Sequence, residues 1–476
     1  MLSKVLPVLL SFCACYGGPA SDLETATNDH PTFVTALYYT EWSFYNKHYP
    51  IDIPLSHITN IYYAFAKIDL KSEGTYWGDE NIALEETIPL IHEDTMSSFG
   101  ARDENLYSYD YAKTSFEAES IVNSTGLIGQ LLQMKELKKG LKVSLAIGGE
   151  NTNHVFEEAT SSERKTERFC QNLVNTMRKH GFDGIDIDWE FPDPKSALKL
   201  SNLIKILKDK LSSAEIEDGM LPNTYLLSLA LPLDVSSLKT YQFETLRSYV
   251  TYFNLMGYDI SGPWSELANY HSNLYSLETK SVSSVDYSVQ YLLDKIDKTQ
   301  LILGMPNYGR SFEGMGAGLP FRGCANIPGI KQEQNQCIVN YHNLPPKDYT
   351  EVHNYTAGSS YAYSNKGLGI VFYDSPQAVR QKANYVKDLG LAGGFWWDSY
   401  GDNYRVKENR SLLYSFVDEL GGLHMLKMGD PSSNFRPEQA DGTIASSYAT
   451  HCSSPDLQIF LSIVSSWFFF FLVFML

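Results

Sequence analysis

The chain has 476 residues, 43% hydrophobic and 20% charged, with a formal net charge of −18. That length and hydrophobicity allow one large barrel or two to three domains, and exclude a disordered polymer. That charge, with no basic run anywhere, argues against a polyanionic partner such as nucleic acid, because phosphate binding wants clustered Lys and Arg.

The first stretch, "MLSKVLPVLLSFCACYGGPA", combines one lysine, an apolar run and small residues from Gly17 to Ala20. It reads as a secretory signal peptide over 1–20, since the apolar run is too short for a spanning helix. Removing it leaves Cys170, Cys324, Cys337 and Cys452 in an oxidising compartment. Cys324 and Cys337 lie close together on a Gly/Pro-rich segment and are expected to pair. Cys170 falls on a predicted helix and reads as a buried thiol. No CxxC or HExxH spacing occurs, so no metal site is expected. Sequons at Asn123, Asn354 and Asn409 point to a glycoprotein.

Strand-like runs then recur along the chain. They are "FVTALYYT" (33–40), "ITNIYYAFAKI" (58–68), "KVSLAIGG" (142–149) and "DGIDIDWEF" (183–191), followed by "YLLSLALPL" (225–233), "YFNLMGYD" (252–259), "QLILGMPNY" (300–308) and "AGGFWWD" (392–398). Each is apolar, rich in β-branched and aromatic residues, and bounded by turn formers. Amphipathic helical stretches at 161–181, 194–211 and 374–390 lie between several of them. Eight strands with helices between them suggest an α/β fold, a (β/α)8 barrel over 28–422. A doubly wound open sheet remains the competitor.

Two segments exceed a minimal barrel. Residues 70–125 read as a long polar loop, and 311–373 as a small α+β insertion between strands seven and eight that holds the cysteine pair. Residues 424–456 read as a linker. The end, 457–476, is apolar to the last residue with no basic residue after it, which fits a GPI attachment signal better than a plain tail anchor. The attachment site is expected within Gly442–Ser454.

The fourth strand raises the functional question. "GFDGIDIDWEFP" places Asp183, Asp186, Asp188 and Glu190 within eight residues. Side chains alternate along a strand, so Asp186, Asp188 and Glu190 share one face and Ile185, Ile187 and Trp189 the other. In a barrel the acidic set would point inward, where like charges and desolvation raise their pKa values. A solvated edge strand fits poorly, because the large apolar residues need cover; a divalent-cation site stays open but lacks Asn/Asp loops. The functional reading is acid catalysis, with Glu190 last before Pro192 and so nearest the barrel mouth.

These residues resemble family 18 glycoside hydrolases, specifically chitinases. The family signature DxxDxDxE is present as Asp183, Asp186, Asp188 and Glu190. "KVSLAIGG" resembles the SxGG motif through Gly148 and Gly149, and "NLMGYDISGPW" the MxYD motif through Met256, Tyr258 and Asp259. "GMPNYGRSF" matches Tyr308 to Arg310, and "GLAGGFWWDSYGD" places Trp397 at the subsite-floor tryptophan. "LYYTEW" and "YYAFA" match Tyr38, Trp42 and Phe65. The resemblance runs from about Phe33 to Phe416, and 311–373 matches the family's insertion domain.

It implies retaining, substrate-assisted cleavage of β-1,4-linked N-acetylglucosamine polymers. Glu190 would be the general acid, Asp188 would hold the substrate acetamide N–H, Asp186 would share a proton with Asp188, and Tyr258 would bond the acetamide oxygen. Trp397, Tyr38, Phe65, Trp42, Met256, Asp259, Arg310 and Tyr308 would line the substrate site, with Asp183, Gly148 and Gly149 supporting it. Asp259 and Arg310 could equally form a salt bridge. Trp264 and Trp396 are weaker platform candidates. Ala146 stands where the SxGG serine is usual, which could shift an Asp183/Asp186 network, and Glu150 replaces a frequent aromatic.

The expected partner is chitin or chito-oligosaccharides, with no cofactor, membrane contact only through the anchor, and a monomeric state. The expected setting is secreted, at the cell surface or wall, and the action endo. A chitin-binding lectin and an endo-β-N-acetylglucosaminidase are the alternatives.

Overall fold

In the computed structural model, residues 33–72, 74–78, 126–277, 284–330, 336–367, 369–404 and 409–429 are described. The signal peptide, Asn123, Cys452, most of the 70–125 loop, most of the linker and the apolar tail lie outside them.

Eight parallel strands form the centre: β1 (Val34–Thr40), β2 (Asn60–Asp69), β3 (Lys142–Gly149), β4 (Gly184–Trp189), β5 (Leu226–Leu231), β6 (Tyr252–Leu255), β7 (Leu301–Pro306) and β8 (Gly393–Trp397). Each pairs with its sequence neighbour, and β1 pairs with β8 as well as with β2, Val34 lying opposite Gly393 and Tyr38 opposite Tyr62. The sheet therefore closes, and the open-sheet alternative is excluded. The structure is a (β/α)8 barrel.

Strand alternation divides the core into two layers. Ile185, Ile187 and Trp189 join the large outer cluster under the helices, with Leu145, Ile147, Leu227 and Leu229 from the flanking strands. The Trp189 ring stacks on Phe156 at 4.9 Å and its indole N–H donates to Asn153 at 2.7 Å. Truncating such a side chain costs about 3–5 kcal/mol. The opposite residues face the barrel axis, where Tyr38, Tyr62, Phe65, Tyr252 and Phe395 form a separate cluster.

The helices follow their end signals. Glu163–Lys179 starts at Ser162, whose hydroxyl accepts from the Lys165 N–H, carries Arg178 and Lys179 in its last turn, and buries Phe169, Cys170, Leu173, Val174 and Met177. Pro376–Leu389 opens with Ser375 and Pro376 and stops at Gly390, whose φ of 69° is left-handed. The helix Gly126–Leu137, absent from the sequence reading, packs beside β3.

The insertion differs from its expected form. Among the described residues its regular structure is a five-stranded antiparallel sheet, in the order 338–340, 308–312, 370–373, 359–364 and 349–354, with a two-residue strand at 319–320 paired to 267–268, one 3-10 turn at 341–343 and no α-helix. It begins at Tyr308, not at residue 311, because β7 ends at Pro306 and the chain resumes as strand after Asn307. Runs such as "YTEVHN" and "SSYAYS" are β-branched and aromatic, which favours pleated structure over helix. Cys324 and Cys337 are joined as a disulfide, with Cα atoms 4.9 Å apart. The start of the 70–125 segment is also a hairpin: Gly74–Tyr76 pairs antiparallel with the end of β2.

Candidate active site

Strand β4 carries its carboxylates inward. Asp186 is fully buried and accepts three hydrogen bonds, from the Tyr38 hydroxyl at 2.8 Å, the Ser228 hydroxyl at 2.6 Å and the Asn254 amide at 3.1 Å. Burial pushes its pKa up to about 6, although all three bonds favour the ionised form. Asp188, two residues nearer the mouth, is held well above the usual carboxylate range by burial, then by Glu190 and Asp186. Its Oδ1 is buried without a hydrogen-bond partner. Glu190 follows the strand and is pushed up to about 7, by burial first and then by the charges of Glu150 and Asp259. Three carboxyls rising in sequence toward the mouth are equipped to keep at least one proton near neutral pH.

Two glycines make room for this strand. Gly148 lies opposite Asp188 at φ 118°, and a Cβ there would sit 2.1 Å from the Asp188 carbonyl oxygen. Gly149, at φ 93°, would place a Cβ 2.7 Å from the Phe65 ring. Neither position accepts a side chain.

Above the carboxylates a cavity of about 470 Å³ opens, lined among others by Glu150, Glu190, Asp234, Met256, Tyr258 and Asp259. Tyr258 sits edge-on to Tyr308 and Phe395 at 6.2 and 6.3 Å. Burial and the neighbouring Asp188 hold its phenol well above its usual pKa, so it stays a neutral hydrogen-bonding group.

The rings of β1, β2 and β8 converge on the axis. Trp397 lies 5.4 Å from Tyr38, 5.7 Å from Phe65 and 6.2 Å from Trp42. The Phe65 and Trp397 planes differ by 24°; Tyr38 and Phe65 are buried, Trp397 is half-buried and Trp42 is 42% exposed, so the two tryptophans carry the ring surface that reaches solvent. Flat, stiff rings suit the C–H faces of sugars.

Asp259 and Arg310 form the salt bridge weighed from the sequence. Arg310 Nη2 and Nε donate to one Asp259 oxygen at 2.7 and 3.0 Å, and the guanidinium lies over Tyr308 and the exposed Trp264. Burial alone would raise Asp259, but His271 and Arg310 outweigh it and hold the carboxyl below its usual range.

Several expectations need correction. Asp183 does not contact Asp186; it sits at the N-terminal end of β4, where it pairs with Lys135 at 2.8 Å and accepts the Val143 N–H at 2.8 Å. It stands three positions from Asp186, and an odd spacing puts it on the opposite face. An Asp183/Asp186 network therefore does not exist for Ala146 to disturb. Ala146 does lie directly opposite Asp186, but Ser228 supplies a hydroxyl from the other neighbouring strand. Trp396 faces outward, fully buried against Phe416, and is no platform. Asn354 is half-buried, and its amide nitrogen, where a glycan would attach, donates to the Tyr270 hydroxyl at 3.1 Å. Asn409 is exposed.

The sequence reading missed Ser228, Asn254 and Asp234. Ser228 is the single polar residue in "LLSLAL", and Asn254 the single one in "YFNL". An isolated polar residue inside a buried apolar strand was the available signal.

Comparison with known proteins agrees with this geometry. The family model "Glycosyl hydrolases family 18" matches residues 34–402. The chain is 30% identical over 464 residues to sporulation-specific chitinase 2 of Saccharomyces cerevisiae, covering 89% of this chain and 85% of that protein. It is 29% identical to endochitinase 1 of Metarhizium robertsii over 435 residues, or 89% and 94% of the two chains. The crystal structure of a class V chitinase from Nicotiana tobaccum superposes with a TM-score of 0.65 at 22% identity, covering 82% of this chain and 99% of that one.

Proposed function

This chain belongs to glycosyl hydrolase family 18, and from that premise we propose that it cleaves β-1,4-linked N-acetylglucosamine polymers by retaining, substrate-assisted catalysis. The observation that carries the reading is the row of Asp186 and Asp188, buried on β4, and half-buried Glu190 directly after it, in a barrel that also carries the Trp397 ring cluster.

Glu190, held protonated up to about pH 7, gives its proton to the glycosidic oxygen as the C1–O bond breaks. The substrate's own acetamide oxygen bonds to C1, while Asp188 takes the acetamide N–H and balances the positive charge forming there. Tyr258 donates to the acetamide oxygen. Asp186 accepts the proton it shares with Asp188. Water then attacks C1 from the face the leaving group vacated, breaking the bond between C1 and the acetamide oxygen and giving a proton to Glu190, so configuration is retained. Endo action, a monomeric state and a role in wall remodelling belong to the same proposal. So do secretion and GPI anchoring, which rest on the two terminal sequences.

The test is hydrolysis of a chitin hexasaccharide with products resolved by anomer. Rapid β-anomer release by the wild type, lost in Glu190→Gln while binding remains, supports the reading. Binding without cleavage by the wild type would make the protein a lectin.

A further inference from the structure

The hydroxyl of Tyr241 is buried, the residue being 6% exposed, and has no hydrogen-bond partner among the described residues. A buried phenol left unpaired costs about 1–3 kcal/mol. Local packing does not require it: the Phe243 ring stacks on Tyr241 at 5.8 Å and 16°, and would stack as well on phenylalanine. A polar atom kept at that cost calls for a partner that arrives during function.

The backbone places Tyr241 in the loop that leaves β5. Tyr241 follows β5 and the short helix Val235–Leu238, with its N–H bonded to the Leu238 carbonyl. The adjacent Thr240 hydroxyl donates to the Ser237 carbonyl at 2.8 Å and lies 3.4 Å from the Pro192 carbonyl, two residues past Glu190. The loop thus runs beside the segment that follows β4, and the charged neighbours of Tyr241 are Asp188 first and Glu190 second. Asp188 carries the matching orphan, because its Oδ1 is also buried and unpartnered. The Tyr38, Ser228 and Asn254 donors are all committed to Asp186 below it.

The groups that face Asp188 are Asp186 and Glu190 from its own segment, Tyr38 from β1, Tyr258 after β6 and Tyr241. None is a cation, and the nearby Arg310 is held by Asp259 and the Gln336 carbonyl. We propose that Tyr241 is a positioning residue for Asp188, donating its hydroxyl hydrogen to the Asp188 carboxylate when that group turns toward Glu190 to hold the substrate acetamide. The two orphan atoms satisfy one another in that orientation, and the bond keeps Asp188 ionised while positive charge forms beside it. The inference rests on the role given to Asp188 above.

The test compares full-length wild type, Tyr241→Phe, Asp188→Asn and the double variant on chitin hexasaccharide across pH, with thermal melting alongside. Tyr241→Phe is expected to lower kcat about tenfold with KM within about twofold. Its acid limb should move to higher pH, because a carboxylate that loses a donor binds its proton more tightly. In the Asp188→Asn background the tyrosine change should add no further loss. An unmoved acid limb with unchanged kcat overturns the proposal. So does a full additional loss in the double variant, or a lower melting temperature with an unmoved limb, either of which assigns Tyr241 to packing. A wild type that leaves the hexasaccharide uncut overturns the role of Asp188 and this inference with it, whereas an active wild type with an unaffected Tyr241→Phe overturns the inference alone.

Discussion

Ser228 and Asp186 lie directly opposite one another on β5 and β4, and the serine hydroxyl donates a 2.6 Å hydrogen bond to the aspartate. The position on the other flank of Asp186 is held by Ala146, which has nothing to donate. The innermost carboxylate of the row is thus steadied from β5, from Tyr38 on β1 and from Asn254 on β6.

Removing that hydroxyl should be felt in both stability and pH response. Ser228→Ala leaves a buried acceptor short of one donor, at about 1–3 kcal/mol. The lost bond favoured the ionised form, so the Asp186 pKa should rise above its present value of about 6. The proposed cycle needs Asp186 ionised to accept the shared proton, so the acid limb of kcat/KM should move to higher pH. Measuring that limb against wild type checks it; a limb that stays put would remove Ser228 from the account.

Glu150 acts on the opposite limb. Its negative charge is the largest cause, after burial, that raises Glu190 to about 7. Glu150→Gln removes the repulsion, the Glu190 pKa falls, and the acid loses its proton at lower pH. The alkaline limb should therefore shift downward, with little change at pH 5. Measurement at low ionic strength gives the larger shift, since salt screens a carboxylate as exposed as Glu150.

Gly148 should tolerate no substitution. An alanine methyl would meet the Asp188 carbonyl at 2.1 Å, on backbone with φ 118° that L residues avoid. The conformational strain alone is about 1–3 kcal/mol, and the clash adds to it. Gly148→Ala is expected to unfold at clearly lower denaturant concentration than wild type. Equal midpoints would mean that β3 and β4 can separate without cost.

Trp397 should show its role in substrate affinity. Trp397→Ala removes the ring that Tyr38, Phe65 and Trp42 surround. Loss of a stacking partner worth about 0.5–1.5 kcal/mol corresponds to a KM rise of up to roughly tenfold. Short substrates should suffer most, having fewer contacts elsewhere. Calorimetric titration of an inactive Glu190→Gln background with tetrasaccharide separates this from an effect on chemistry.

Much of this was legible in the linear chain. All eight strands appear as apolar runs bounded by turn formers, and β4 announces its inward face through the spacing of Asp186, Asp188 and Glu190, because alternation along a strand is a local property. The same rule, applied to Asp183, would have excluded it from the cluster by parity. The inserted sheet was harder to read, since its strands owe their pairing to partners up to 62 positions away, as Arg310 does to Phe372.

What tertiary structure alone decided is who meets whom across the barrel. Ser228 and Asn254 stand out in their strands as lone polar residues, but their partner is decided only by the fold, which sets them against Asp186. Tyr38, Phe65 and Trp397 converge because β1 closes the barrel by pairing with both β2 and β8, which no local pattern specifies. The raised pKa values of Asp188 and Glu190 have the same origin. The chain supplies the carboxylates, but the low dielectric that makes them hold protons exists only when the walls of the barrel exclude water around them.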